Sequence, residues 1–176
     1  MMKNLFFAFL ALYAFTLFSG CNKDDDDMGS DVKNEFTYDG TTYSLSKGFY
    51  SDLGSNGNGT YDLDIFLTTA GVSQGGFSGL TGTGDGIYLD LNTTTATGVV
   101  AGTYNWSNSR ENFTIVPGSS ILLDYNYETF TGTSISFTDG TVEIAVGGTG
   151  ATITFSATTT DGKTVSGEWK GLPENI

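Results

Sequence analysis

Apolar and polar residues alternate in short runs over most of the chain after about residue 35. In the clearest run, residues 61–67, the odd-numbered positions are apolar or aromatic and the even-numbered positions include two aspartates. A side-chain period of two is typical of a β-strand with one face toward a core. The pattern recurs at residues 87–91, 135–137, 142–146, 153–157 and 165–169. It predicts an all-β domain whose core lies on the apolar faces.

Turn residues separate these runs. Asp-Gly pairs at positions 39–40, 139–140 and 161–162 each lie between two alternating segments, and Asp-Gly tolerates the positive φ angles of a tight hairpin. Glycines at 147–150 join two more runs, so residues 134–170 are predicted to form a four-stranded antiparallel meander. The Gly-rich segments 54–59 and 71–86 are predicted to be long loops. Together these signals predict a single antiparallel β-sandwich or up-and-down barrel of about 8–10 strands over residues 34–176.

The first twenty residues have the layout of a secretory signal. Lys3 provides a positive charge, residues 5–18 are almost entirely apolar, and residues 19–20 are small. The apolar segment is shorter than the roughly 18 residues of a membrane-spanning helix. Small residues directly before Cys21 resemble the lipobox of bacterial lipoproteins, in which the cysteine is acylated and becomes the first residue of the mature chain. The resemblance implies a signal peptide over residues 1–20 and a membrane anchor at Cys21.

An acidic segment follows the cysteine directly. Lys23 and the four residues Asp24, Asp25, Asp26 and Asp27 resemble the export signal of surface lipoproteins of the Bacteroidota. In that family the signal directs a protein to the outer face of the outer membrane. Residues 21–33 lack apolar periodicity and are predicted to form a disordered tether. The resemblance implies an outer-membrane lipoprotein that faces the cell exterior, and residues 34–176 resemble the small Gly/Thr-rich β-domains of such lipoproteins.

Charge and residue inventory exclude several classes of function. The chain after residue 20 has six basic and twenty acidic residues, a net charge of −14, so binding to nucleic acid is not expected. The chain contains no histidine and one cysteine, which the resemblance assigns to lipid. Ser-His-Asp and Cys-His catalysis and zinc sites built on imidazole or thiolate ligands are therefore excluded. Paired carboxylates alone remain for catalysis, and the sequence favours a protein that is not an enzyme.

Three aspartates are the leading candidates for a site. Asp62, Asp64 and Asp90 lie on the polar faces of two segments that are candidates for neighbouring strands, and Phe66 and Tyr88 share those faces. Glycosidases need two carboxyl groups about 5–10 Å apart, and aromatic rings beside them can hold the sugar. An ordinary solvated outer face has the same composition and is the favoured interpretation. The five residues are candidates for ligand binding, with hydrolysis as the weaker hypothesis.

The segment 52–62 carries oxygen-bearing side chains that resemble a calcium loop in part. The candidate ligands are Asp52, Asn56, Asn58 and Asp62. Leu63 occupies the twelfth position, where an EF-hand has a bidentate glutamate. The favoured interpretation is a Gly/Asn turn between strands, so no cofactor is predicted and a weak calcium site is the alternative.

Aromatic residues supply further candidates for binding. Tyr104 and Trp106 share one face of a short run, which suits core packing, the favoured role, or a platform that stacks on a sugar ring. Trp169 is in phase with Val165 and is expected in the core. We expect four other rings to be more exposed, namely Tyr50, Phe66, Tyr88 and Tyr127.

These observations favour a non-catalytic binding or display module whose ligand is a glycan or a protein. A lipocalin-like carrier of a small ligand is one alternative, and a carboxylate-dependent glycan hydrolase is a less favoured one. An exposed aromatic strip beside the aspartates would favour glycan binding, whereas a deep apolar cavity would favour a carrier.

Overall fold

The computed structural model describes residues 32–76 and 79–176, and the all-β prediction is confirmed over these ranges. No helix in this part of the chain is long and apolar enough to cross a membrane. The strands are β1 (Glu35–Tyr38), β2 (Thr41–Ser44), β3 (Lys47–Ser55), β4 (Tyr61–Thr68), β5 (Val72–Gln74), β6 (Leu80–Thr93), β7 (Gly102–Trp106), β8 (Thr114–Ile115), β9 (Ser120–Asn126), β10 (Thr131–Gly147), β11 (Gly150–Thr159), β12 (Thr164–Gly171) and β13 (Glu174–Asn175).

The strands of the described residues outnumber the predicted 8–10 because three of them are very short. Strands β5, β8 and β13 have three, two and two residues, too few for a side-chain period to appear in the sequence. The hydrogen-bonded path runs β13-β3-β4-β6-β8-β7-β10-β11-β12-β1-β2, with β9 between β6 and β10 and with β5 beside β6. Two pairs, β13 with β3 and β7 with β8, are parallel, so the sheet is mixed and not wholly antiparallel.

The main core lies on the faces that the period of two predicts. Leu63, Ile65 and Leu67 of β4 are each at most 1% exposed, and they pack with apolar side chains of β1, β6, β7, β10, β11 and β12. Trp169 is also buried in this cluster, as predicted. The pattern weakens at strand ends, where Val146 of β10 is 52% exposed. Burial of these apolar side chains holds the strands that carry them together.

A second apolar cluster covers part of the opposite face of β3, β4, β6 and β9. It contains Phe49, Val72, Leu80, Leu122 and Tyr127. Successive side chains of a strand point to opposite faces, so these strands carry the main core on one face and this cluster on the other. The outer face is therefore only partly polar.

One of the three predicted Asp-Gly hairpins is wrong. Asp139 and Gly140 lie inside β10, where the pairing with β11 shifts register between Phe137 and Asp139. A Cβ on Gly140 would lie 2.8 Å from the carbonyl oxygen of Ser156, so the pair forms a β-bulge that requires a close approach of two strands. Residues 134–170 consequently form three strands, β10 to β12, and not the predicted four.

The other turn predictions have mixed outcomes. Asp39 and Gly40 connect β1 to β2 with φ angles of 49° and 74°, as a tight hairpin requires. The 161–162 pair lies between β11 and β12, and the Gly-rich connection of β10 to β11 also forms as predicted. Residues 71–86 are not one loop, because β5 pairs with the first residues of β6 there.

Gly48 of β3 packs against the indole ring of Trp169. A Cβ at position 48 would lie 2.6 Å from the ring carbons, and Trp169 is only 3% exposed. We expect Gly48→Ala to lower the free energy of unfolding by about 1–3 kcal/mol, because the filled core leaves the ring no room. Urea denaturation measures this loss. Gly147→Ala, whose Cβ would meet nothing within 4 Å, should cost less than about 0.5 kcal/mol, and equal losses would contradict the packing argument.

Candidate functional site

The pairing of β4 with β6 brings five predicted site residues together. Asp64 is the cross-strand partner of Asp90, and Phe66 is the partner of Tyr88. Asp62 lies two residues before Asp64 and therefore points to the same outer face. One carboxylate oxygen from each of the three aspartates lies within 4.8 Å of the other two. The structure thus forms a carboxylate cluster (Asp62, Asp64 and Asp90) on the outer face of the sheet.

Arg110, in the loop after β7, supplies a positive charge to this cluster. Its Nη1 lies 2.8 Å from Asp62 Oδ1 and 3.2 Å from Asp90 Oδ1, and its Nη2 donates to Asp90 Oδ2 at 3.2 Å. The planar guanidinium suits this two-pronged contact with one carboxylate. No local sequence pattern marks this residue as part of a site, although it is the only arginine in a chain with twenty acidic residues.

Asparagine side chains hold Arg110 in place. Asn58 Nδ2 donates to the carbonyl oxygen of Arg110 at 2.7 Å. Asn92 Oδ1 accepts from Arg110 Nη1 at 3.3 Å and from Asn56 Nδ2 at 2.9 Å, and Asn92 is fully buried. The connection between β3 and β4 therefore helps to orient the guanidinium, a role that the spacing of its residues did not reveal.

The candidate calcium ligands each have a partner of their own. Asp52 accepts from the backbone N–H of Gly98 at 3.0 Å, and Asp62 contacts Arg110. Asn56 and Asn58 donate to the groups just described, and Asn58 Oδ1 also accepts from the Thr60 hydroxyl at 2.7 Å. Residues 56–60 connect β3 to β4.

Three carboxyl groups share one guanidinium, so their charges are not balanced. Burial raises the pKa of Asp64 to about 6, while the hydrogen bond from the Tyr88 hydroxyl, at 2.8 Å, opposes the rise. Burial and the charge of Asp62 also raise the pKa of Asp90, against the effect of Arg110. The pKa of Tyr88 is raised by burial and by Asp64, so the hydroxyl remains a hydrogen-bond donor. The cluster therefore changes charge near neutral pH.

A cleft of about 330 Å³ adjoins the carboxylate cluster on the same face. The rings of Phe66 and Tyr88 are stacked along it, with their centroids 4.8 Å apart. Gly118 also lines it and packs against Asp90, because a Cβ there would lie 3.0 Å from Asp90 Oδ2. Its other lining residues are Leu80, Ser120, Leu122, Tyr125, Tyr127, Phe130 and Ser134.

Two of the aromatic candidates are buried, Tyr104 in the core role that the sequence favoured and Tyr127 against the prediction. Tyr104 is fully buried and donates its hydroxyl to the carbonyl oxygen of Val100 at 2.8 Å, so its ring cannot be part of a sugar platform with the half-buried Trp106. Tyr127 was expected to be exposed, but it is only 3% exposed. It packs in the second apolar cluster with Val72 and Leu80, which belong to the unpredicted pairing of β5 with β6.

Three further aromatic candidates are neither fully buried nor fully exposed. Tyr50, Phe66 and Tyr88 are half-buried. Cys21 and the acidic signal at residues 23–27 lie outside the described residues.

No family model, no curated protein and no solved structure matches the chain.

The raised pKa of Asp64 has a consequence for stability. The folded protein keeps a proton on Asp64 up to about pH 6, whereas an unfolded aspartate releases it near pH 4. The free energy of unfolding should therefore fall through this group as pH rises from about 4 to about 6. We expect Asp64→Asn to remove about 1–2 kcal/mol of that fall.

Urea denaturation between pH 4 and pH 8 measures the effect. The matched control is Asp124→Asn, which neutralises an exposed aspartate of β9 and should leave the wild-type slope unchanged. A wild-type slope in Asp64→Asn would contradict the protonation of Asp64 in the folded state.

Proposed function

We propose that the chain is a surface lipoprotein of the outer membrane whose β-domain binds a glycan without catalysing a reaction. The anchor in this proposal is an acylated Cys21, and residues 23–27 are the signal for export to the cell exterior. The binding part is supported by one observation in particular: the stacked rings of Phe66 and Tyr88 lie beside the carboxyl groups of Asp64 and Asp90.

The chemistry of the cleft suits a sugar. Aromatic rings pack against the C–H faces of a pyranose, and Phe130, which is 63% exposed, adds a further ring at the cleft. Carboxylates accept hydrogen bonds from sugar hydroxyls, and Arg110 donates them. A volume of about 330 Å³ is near the lower limit of ligand pockets, which suits a short glycan segment. Aromatic rings beside charged groups thus match both the apolar C–H faces and the hydroxyl groups of a carbohydrate.

Hydrolysis of the glycan is the second candidate function. It is favoured by the short distance between the carboxyl groups of Asp64 and Asp90 and by their raised pKa values, because the general acid of a glycosidase holds its proton near neutral pH. Against it, Arg110 contacts both Asp62 and Asp90, and Tyr88 binds Asp64. Carboxylates that are engaged by such partners are less available for proton transfer, so binding is the primary proposal.

A glycan array probed with the mature chain tests this site. We expect Phe66→Ala and Tyr88→Ala each to weaken binding of the selected glycan about tenfold or more, because each loses stacking worth about 1.4 kcal/mol. The matched control is Tyr43→Ala, which removes one ring of the other stacked pair, Phe36 and Tyr43, at 4.7 Å.

The outcomes separate the two candidate functions. Unchanged glycan binding by Phe66→Ala and Tyr88→Ala contradicts the cleft as the site. A loss in the control Tyr43→Ala as large as the loss in those two variants contradicts it as well. Release of reducing ends from the bound glycan would favour the hydrolase. Absence of binding to any glycan on the array would contradict the proposal.

The anchor and the export signal can be tested separately from the cleft. We expect Cys21→Ala to move the protein out of the membrane fraction, because the acyl chains supply most of its membrane affinity. Replacement of residues 24–27 by alanine should leave the protein in that fraction but protect it from protease added to intact cells. Unchanged fractionation would contradict the anchor, and unchanged protease access would contradict the export signal.

A further inference from the structure

The described chain enters the β-domain beside the end of β12. Lys170 N–H donates to Asn34 Oδ1 at 2.7 Å, and Asn34 Nδ2 donates to the carbonyl oxygen of Lys170 at 3.1 Å. The backbone N–H of Lys33 donates to Glu168 Oε1 at 3.0 Å. The segment that leads back toward Cys21 therefore leaves the domain next to Lys170.

Two strongly exposed apolar side chains lie at the same end of the domain. Leu172 is 78% exposed and Val146 is 52% exposed. Both line one shallow groove, and Val146 shares a neighbouring groove with Lys170. We call Leu172, Val146 and Lys170 the entry-end surface. It is contiguous with the point at which the chain enters the domain.

The tip of the hairpin that carries Val146 is free of charge. No residue from 144 to 160 is ionisable as an acid or a base, although 15% of the whole chain is charged. The tip at residues 147–149 is exposed. Apolar side chains on an uncharged tip are typical of surfaces that lie in the interface of a bilayer, because the tip itself has no carboxylate that would have to lose water.

We propose that the entry-end surface docks onto the bilayer that carries the acyl anchor. This inference rests on the proposed lipid anchor. Eleven residues separate Cys21 from Lys33, and they span at most about 40 Å, so the entry end stays within that distance of the lipid. On docking, the side chains of Leu172 and Val146 leave water, and the amines of Lys33 and Lys170 reach the head groups.

This orientation has a consequence for the cleft. Phe130, which lines the cleft, directly precedes β10, and Val146 lies at the far end of this 17-residue strand. Docking through Val146 would leave the rim of the cleft at Phe130 accessible to ligands outside the cell.

Fluorescence quenching by lipid tests the docking. The mature lipidated chain is placed in vesicles that contain a lipid with a nitroxide near the head group. A fluorophore is attached at Leu172→Cys, while Cys21 is blocked by its acyl chains. We expect the nitroxide lipid to quench this label by about half or more, and a label at Phe130→Cys, the matched exposed position, by less than about one-tenth.

Each result supports or overturns the proposal. Equal quenching at both positions, or none at either, overturns docking even when the protein floats with the vesicles, which shows the anchor to be intact. Failure to float contradicts the anchor and removes the docking with it.

In a second variant, Leu172→Asp should lower the quenching of a label at Val146→Cys at least about twofold, and unchanged quenching overturns the proposal. Protection from aqueous iodide without nitroxide quenching would indicate a protein partner and overturn a lipid one.

Discussion

The register between β4 and β6 is the constraint on which both the core and the candidate site depend. It pairs Ile65 with Leu89 on the interior face and Asp64 with Asp90 on the exterior face. A slip of one residue would turn Asp64 into the core and Ile65 to the outside. Burying an ionised carboxylate without a partner costs several kcal/mol, so the interior strongly selects one register. The carboxylate cluster is thus positioned by the same pairing that forms the core.

Gathering three carboxyl groups on one face is unfavourable, and the protein offsets this in two ways. Arg110 lies between Asp62 and Asp90, and buried asparagine and loop contacts fix its position. Asp64 and Asp90 also hold their protons to higher pH than ordinary aspartates do. Perturbed titratable groups beside a cleft are common at functional sites, because a ligand can supply hydrogen bonds that the free protein lacks.

Local patterns in the sequence predicted much of the core and some of the site. The alternation in β4, β6, β11 and β12 is local, so the buried faces and the shared face of Asp62, Asp64 and Asp90 could be identified. The pair Asp139-Gly140 suits a hairpin and a bulge equally well, and the neighbouring strands of β10 decide between them. The contact of Arg110 with Asp90 joins a loop to a strand twenty residues earlier, and no local pattern marks it.

The first strand of the described chain is an interior strand, since β1 lies between β12 and β2. Each of its four residues has a partner on both sides, and Asn34 adds two hydrogen bonds to Lys170 just ahead of it. A pull on the chain before Lys33 therefore loads two ladders together and does not peel a single strand from a sheet edge. The domain therefore resists tension at Lys33, the point at which the proposed tether would pull on it.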